Sequence, residues 1–306
     1  MMRKAIWALV VVMCLAAPVA VHAQGDYLEV FIVKVKPEKV ADFEAITKKW
    51  ADANSKHGGD TWIALETQYG EGNVYQFTST RKDYADIDKS MEVGMTAANK
   101  AFGKEMAQKM ERDFQNCLVW SRSELRRRRW DLSSKAPTDA AAYAKLIGES
   151  RVLRTTAVHI RPGHVPEFEA MLKEIKEAAD KNPNTHPLFI SQVVEGTKGA
   201  TFYVSALRTS LGGFDKNPTL RDIVGEEGAK KFQHMNSEAV EEADSSLLRF
   251  SPELSNPPEE VASASADFWH PKATMSASAA KSKAPAAKSA EMKPAAEKQP
   301  ASEKKP

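Results

Sequence analysis

Two basic side chains occupy matching places in a repeated stretch of this sequence. Lys34 lies in VKVKPEKVADFEA and His159 lies in VHIRPGHVPEFEA. An ammonium group and an imidazole in matching places could bind or deprotonate an acidic phenol or enol. The alternative is that both side chains stand at the end of a strand and reach solvent, so their chemistry depends on the elements that carry them.

Other histidines do not form a metal motif. His159, His164 and His186 are separated by five and twenty-two residues, without a His-x-x-x-His pair or a cysteine partner. This spacing does not support a zinc site, and no metal is expected. The sequence also has no P-loop, no dinucleotide-binding glycine motif and no Gly-x-Ser-x-Gly elbow.

The densest run of charge is Arg126 to Arg129, followed by Trp130. Glu124 and Asp131 lie on either side of this run. We expect a solvated or salt-bridged linker helix here rather than a groove for nucleic acid.

Composition excludes several classes of protein. The 306 residues are 42% hydrophobic and 27% charged, with a formal net charge of +2. The excess of basic residues lies at the two ends, so a nucleic-acid partner is not expected. The amino-acid composition also excludes a polytopic membrane protein and a disulfide-stabilised scaffold.

The N-terminus has the pattern of a secretory signal peptide over residues 1–23. Arg3 and Lys4 precede an apolar stretch, and Val21-His22-Ala23 offers a small-residue cleavage site. We therefore expect export, to the periplasm or beyond, and no transmembrane segment after cleavage. Cys14 leaves with this segment, so the mature chain retains Cys117 and cannot form an internal disulfide.

The C-terminus, residues 256–306, consists mainly of Ala, Lys, Pro, Ser and Glu. Such a composition predicts a disordered tail. Phe268, Trp269 and His270 form an apolar island within it. We interpret this island as a short apolar patch on a solvated tail rather than a docking point. The tail could also touch the cell envelope.

The body between these ends is a duplication. At an offset of 125 residues, seven positions of Val33–Trp50 recur in Val158–Ile175, including Pro37 with Pro162 and Phe43 with Phe168. The sequence therefore predicts a first unit over residues 24–125, a connector over 126–150 and a second unit over 151–255.

Each copy has the order β-α-β-β-α-β. In the first, we expect strands at Tyr27–Lys36, Thr61–Tyr69, Val74–Thr80 and Cys117–Ser123, and helices at Glu38–Lys56 and Tyr84–Phe114 with a break near Gly94. In the second, we expect strands near Leu153–Arg161, Leu188–Glu195, Thr201–Arg208 and Ser246–Phe250, and helices near Val165–Lys181 and Gly225–Asp244. This order is the ferredoxin-like arrangement, an antiparallel sheet with both helices on one face.

The first strand of each copy predicts how the copies pack. Phe31 and Val33 are apolar, and so are the alternate residues Val30 and Ile32. A strand that is apolar on both sides is buried on both sides. We therefore expect an α+β fold in which the two sheets face each other, with the even positions of the first strand inside.

The tandem βαββαβ order and the strand-Pro-x-x-x-x-x-Phe-Glu opening resemble the dimeric α/β barrel superfamily, in particular its antibiotic-biosynthesis-monooxygenase-like branch. The resemblance implies an intramolecular pseudo-dimeric barrel that encloses a small-molecule cavity. It does not imply one chemistry, because members include cofactor-free oxygenases, haem-handling enzymes and isomerases.

The resemblance also adds two candidate residues. His234 lies on the helix where haem-handling relatives place an iron ligand, although no cofactor is predicted and haem is the alternative. Trp62, with Asn54 and His57 upstream, resembles the Asn/Trp/His sets of cofactor-free oxygenases. The simpler interpretation is that Trp62 is an ordinary residue of the hydrophobic core. Tyr75 and Tyr203 could point either way.

Three functions remain open. The first is an exported binding protein, monomeric with an internal pseudo-twofold axis, that holds a small apolar or aromatic ligand between its sheets. The second is a monooxygenase-like or haem-handling enzyme that uses Lys34, His159 or Trp62. The third is a structural envelope protein whose tail recruits a partner.

Overall fold

The computed structural model describes residues 27–270. Within this range the strands are β1 Tyr27–Val35, β2 Ile63–Tyr69, β3 Val74–Arg81, β4 Leu118–Arg128, β5 Val152–Ile160, β6 Phe189–Glu195, β7 Ala200–Arg208 and β8 Val240–Phe250. The helices are α1 Val40–His57, α2 Tyr84–Phe102, α3 Lys104–Cys117, α4 Ala140–Glu149, α5 Val165–Lys181, α6 Leu220–Ala239, α7 Glu259–Ala262 and α8 Ala266–Trp269. The expected signal peptide and residues 271–306 of the tail lie outside the described residues.

The strands of residues 27–270 form one closed antiparallel barrel. Their order around the barrel is β1-β3-β2-β8-β5-β7-β6-β4. Each unit contributes four neighbouring strands, and two seams join the units: β2 with β8 and β4 with β6. The expected fold class, two ferredoxin-like units packed as an intramolecular α/β barrel, is confirmed.

Strand β1 is buried on both sides, as expected. Val33 and Val35 pack with Phe43 of α1 in the layer between sheet and helices. Val30 and Ile32 lie on the opposite side, where they pack with Val74 inside the barrel. The second unit repeats this arrangement, with Val158, Ile160 and Phe168 in its helix-side core.

The second helical region of the first unit is interrupted at a different residue from the one predicted. The break is at Gly103, with φ 78° and ψ 154°, and Gly94 lies inside α2. The second unit has the same device at Gly225, with φ 75° and ψ 175° inside α6. These backbone angles are nearly exclusive to glycine, because a Cβ atom would clash with its own backbone.

The last strand of each unit is longer than predicted. β4 continues to Arg128 and β8 begins at Val240. The expectation that Arg126 to Arg129 form a linker helix is therefore wrong, since Arg126 and Arg128 belong to a strand and are buried. The expected salt bridge is present at Arg129, which pairs with Asp131 at 2.8 Å.

The C-terminal part of the described chain is ordered on the barrel, although the composition predicted disorder from residue 256. Trp269 of α8 is 3% exposed, and its Nε1 donates to the Gly148 carbonyl at 2.9 Å. The guanidinium carbon of Arg151 lies 3.7 Å from the centre of the Phe268 ring. The apolar island is thus a docking point on the connector helix α4, and the solvated-tail interpretation is wrong for it.

Among residues 27–270, no helix combines the length and apolar character needed to cross a bilayer. Cys117 is a free, buried thiol at the end of α3. The pKa of this thiol is raised, and burial is the largest cause of the shift.

Candidate functional site

A cavity of about 150 Å³ lies inside one end of the barrel. Its walls are the first residues of β1, β2, β5 and β6 and the last residues of β3, β4, β7 and β8. Helix α4 contributes Tyr143 and Ile147, and the C-terminal segment contributes Pro258 and Val261. We call this space the barrel-end cavity.

Most of the side chains around the barrel-end cavity are apolar or aromatic. They include Leu28, Ile63, Leu153, Phe189, Leu207 and Phe250. The polar side chains are hydroxyls, one amide and two guanidinium groups, those of Arg126 and Arg128. No Asp or Glu is among the described residues that line it.

A layer of paired polar groups lies deeper in the barrel. The Glu124 side chain is fully buried, and its Oε2 accepts a hydrogen bond from Arg126 Nε at 2.8 Å. Tyr203 donates its hydroxyl to Glu124 Oε1 at 3.1 Å. Burial raises the pKa of Tyr203, so this phenol stays protonated at neutral pH and serves as a donor.

Strand alternation explains how β4 delivers these groups. Glu124, Arg126 and Arg128 are every second residue of β4 and are buried, whereas Arg127 between the arginines is exposed. Successive side chains of a strand point to opposite faces. Arg126 and Arg128 therefore point inward and Arg127 points outward, which the sequence interpretation missed because the run of arginines shows no alternation of residue type.

Lys34 and His159 lie at the other end of the barrel. They are the penultimate residues of β1 and β5, whereas the cavity is lined by Val30 and Thr155 nearer the start of these strands. The four residue steps from Val30 to Lys34 span about 13 Å. Neither side chain lines the barrel-end cavity.

Both side chains already have partners there. Lys34 Nζ donates to the Gly72 carbonyl and lies 3.3 Å from Glu71 Oε1. His159 Nδ1 lies 3.0 Å from Thr201 Oγ1. The alternation rule thus identified the inward face of β1 correctly, but it could not indicate which end of the barrel would be closed by other elements.

Trp62 does line the barrel-end cavity. Its Nε1 donates to the Leu254 carbonyl at 2.8 Å, which ties the start of β2 to the C-terminal segment. Asn54 is buried and accepts from the backbone N–H of Asp60, whereas His57 is exposed at the end of α1. The Asn/Trp/His set therefore does not converge on one point.

A second cavity, of about 380 Å³, lies between the sheet and the helices of the first unit. We call it the helix-side cavity. Its aromatic lining residues are Phe31, Trp50, Trp62, Phe77 and Phe114. Its charged members include Asp60 and Arg81, whose side chains form a two-bonded pair at 2.6 and 2.8 Å.

His234 does not fit a haem site in this arrangement. Its side chain is 74% exposed on α6, and its Nε2 lies 3.5 Å from Glu238 Oε1. It lines neither the barrel-end cavity nor the helix-side cavity. Within residues 27–270, no group of three His, Cys, Asp or Glu side chains is placed to hold a metal ion.

The two tyrosines left open by the sequence point in opposite directions. Tyr75 packs on Phe43 in the helix-side core, and its hydroxyl donates to Glu44 Oε1 at 3.1 Å. Tyr203 points into the barrel, where Arg126 stacks on its ring.

No family model matches this chain, and no curated protein matches it at a significant level. Solved structures do resemble it. An anthrone oxidase-like protein has 12% identity and a TM-score of 0.49 over 75% of this chain and 92% of its own. A candidate monooxygenase from Lactobacillus acidophilus NCFM has 9% identity and a TM-score of 0.45 over 76% and 98%.

A chlorite dismutase from Candidatus Nitrospira defluvii, in complex with imidazole, has 12% identity and a TM-score of 0.43 over 76% of this chain and 94% of its own. Similarity at this level carries no conclusion about activity. The strand order and the closure of the barrel give, by themselves, the pseudo-dimeric α/β barrel architecture that the sequence resemblance implied.

Proposed function

We propose that this chain is an exported binding protein that holds a small, largely apolar or aromatic molecule in the barrel-end cavity. The observation that carries the proposal is a largely apolar space of about 150 Å³ between the two sheets. An engineered cavity of this size that is lined by apolar side chains binds benzene. The hydroxyl, amide and guanidinium groups at this wall are of the kind that orient a ligand.

Two segments outside the repeated units support the same proposal. The connector supplies Trp130 and helix α4, and the C-terminal segment supplies Pro258 and Val261. They cover one end of a barrel that would otherwise be open. A cover of this kind reduces the contact of the cavity with solvent, and polar contacts are stronger where the surroundings are less polar than water.

A thermal-shift series with toluene and phenol tests the proposal. Ser205 lines the cavity, so Ser205→Phe should fill it and abolish stabilisation by the added aromatic molecule. Ser121→Phe places the same ring at an exposed position of β4 and is the matched control. Equal stabilisation of Ser205→Phe and the parent chain would refute binding in this cavity.

Export is a separate part of the proposal and rests on the charged start, apolar stretch and small-residue site of residues 1–23. Mass spectrometry of the exported fraction should find a mature chain that begins near Gln24. Retention of Met1 to Ala23 in that fraction would contradict cleavage.

An oxygenase function is the second candidate, and the helix-side cavity favours it. The cavity places five aromatic side chains beside the Asp60–Arg81 pair, a setting suited to a planar, electron-rich substrate. Oxygen uptake with a polyphenol substrate, lost in Trp62→Phe but retained in Ser205→Phe, would support it over the binding proposal.

A further inference from the structure

We infer that the ligand of the barrel-end cavity is a small organic anion, a monocarboxylate with a ring-sized apolar body, and that Arg126 and Arg128 bind its carboxylate. This inference rests on the proposed binding function and names the class of ligand. It is carried by the two guanidinium groups at the wall and by the cavity's size.

Charge at the wall is one-sided. Arg126 and Arg128 line the cavity, their residues are 3% and 7% exposed, and no carboxylate is among the described lining residues. Glu124, which pairs with Arg126, belongs to the deeper layer and does not line the space. An anion that enters the cavity therefore meets cationic groups and no carboxylate of the described wall.

Glu124 occupies one side of the Arg126 guanidinium. Arg126 Nε donates to Glu124 Oε2 at 2.8 Å, and the buried Nη2 lies 2.7 Å from the same oxygen. A guanidinium carries five N–H donors, so this one carboxylate oxygen does not use all of them.

Aromatic rings fix the orientation of both guanidinium groups. The Arg126 guanidinium carbon lies 3.4 Å from the centre of the Tyr203 ring, and that of Arg128 lies 4.7 Å from the Tyr143 ring. Arg128 Nη2 also donates to Thr80 Oγ1 at 2.9 Å. Stacked, planar donor groups suit the two oxygens of a carboxylate, because little side-chain freedom is lost when they bind it.

The rest of the wall selects the body of the ligand. Leu28, Ile63, Leu207 and Phe250 offer no polar atoms, so an anion made only of polar groups, such as phosphate, would leave apolar surface uncovered. A volume of about 150 Å³ accommodates one six-membered ring. Benzoate is the simplest probe that meets both conditions.

Calorimetric titration of the mature chain with benzoate, benzamide, acetate, inorganic phosphate and toluene tests the inference. Benzoate should bind at least about tenfold more tightly than benzamide, which has the same shape without the charge; a tenfold ratio corresponds to 1.4 kcal/mol. Acetate and phosphate, which lack the apolar body, should bind at least tenfold more weakly than benzoate.

Variants of three neighbouring arginines locate the effect. Arg128→Gln and Arg126→Lys should each reduce the affinity for benzoate at least tenfold and leave toluene binding within about twofold. Arg126→Lys keeps a cation beside Glu124, so the barrel interior remains charge-balanced. Arg127→Gln removes the same charge from the exposed side of β4 and should leave both affinities unchanged.

The outcomes separate the two claims. Equal affinity for benzoate and benzamide, or an effect of Arg127→Gln as large as that of Arg128→Gln, would overturn the anion inference and leave the binding proposal standing. Absence of binding by benzoate, benzamide and toluene alike would overturn both.

Discussion

Single residues show how much of the core follows from the repeat. Phe43 and Phe168 occupy matching places and are 0% and 3% exposed. Phe43→Ala and Phe168→Ala should each lower the free energy of unfolding by about 3–5 kcal/mol, because each leaves a large cavity between helix and sheet. Urea denaturation measures this loss, and a wild-type midpoint in either variant would contradict the helix register.

The ion pair next to the arginine run gives a pH-dependent contribution. The hydrogen bond from Arg129 lowers the pKa of Asp131, and burial opposes this effect. A lowered pKa in the folded state means that the stabilisation is present above the unfolded value of about 3.9 and is lost as the pH falls through the folded value. Asp131→Asn should therefore destabilise the protein at pH 7 and have a smaller effect at pH 2.

Chemical denaturation at the two pH values checks this prediction. In an Arg129→Gln background, the difference between the effects of Asp131→Asn at the two pH values should shrink, because the largest cause of the lowered pKa is gone. An undiminished pH-dependent difference in that background would assign it to a group other than Arg129.

Candidate site residues were harder to predict than core residues. Alternation gives the face of a strand, so Val30 and Ile32 were correctly expected inside the barrel. It does not reveal which end of a barrel other segments will cover, and Lys34 and His159 lie at the end away from the barrel-end cavity. Arg126 and Arg128 were missed because burial of a guanidinium depends on distant partners, here Tyr203 and Tyr143.

At the scale of elements, the break in the second helical region depends on one glycine. Gly103 has φ 78° and ψ 154°, and a Cβ there would meet no neighbouring atom within 4 Å. Gly103→Ala should thus cost about 1–3 kcal/mol through backbone strain alone. Thermal or urea unfolding measures this cost.

Gly94→Ala is the matched control, because Gly94 lies inside α2 and its Cβ would make only ordinary contacts at 3.6 Å. It should stabilise the protein by up to about 1 kcal/mol. The opposite pattern would be a loss of stability in Gly94→Ala and unchanged stability in Gly103→Ala. It would indicate that the helix is interrupted at Gly94, as the sequence predicted.

The C-terminal segment is the element whose role composition concealed. Residues 256–270 contain few large apolar side chains, but Trp269 is buried against Phe250 and donates a hydrogen bond to the Gly148 carbonyl. A chain that ends at Ala264 should lose at least about 3 kcal/mol of stability, since it loses the buried tryptophan. A chain that ends at Pro271 retains every described contact of Trp269 and should keep the wild-type midpoint; equal midpoints for the two truncations would contradict the role of α8.

At the scale of the whole molecule, the sequence was most informative. The 125-residue repeat and the two-sided apolar strands predicted two βαββαβ units that face each other, and the barrel order confirms this arrangement. The sequence could not assign the seams, because pairing of β2 with β8 and of β4 with β6 depends on contacts between residues far apart in the chain.

Closure within one chain predicts a monomer. The connector keeps the two units at a high effective concentration, so pairing within the chain should outcompete pairing between chains. Light scattering should give the mass of one chain, and either unit expressed by itself should dimerise or aggregate. A soluble, monomeric half would mean that its sheet face needs no partner.

A disulfide across one seam tests barrel closure within one chain most directly. Glu66 of β2 and Arg249 of β8 are exposed and lie directly opposite each other, and opposed residues of antiparallel strands are about 4.5–5.5 Å apart, close enough for a disulfide. The test uses a chain of residues 24–306 that carries Cys117→Ser. In this chain, the cysteines introduced by Glu66→Cys and Arg249→Cys should form an intrachain disulfide, and the protein should remain a monomer. Glu66→Cys with Glu195→Cys on the distant β6 should not. Free thiols, or disulfide-linked dimers, in the Glu66–Arg249 variant would contradict a barrel built from the two halves of a single chain.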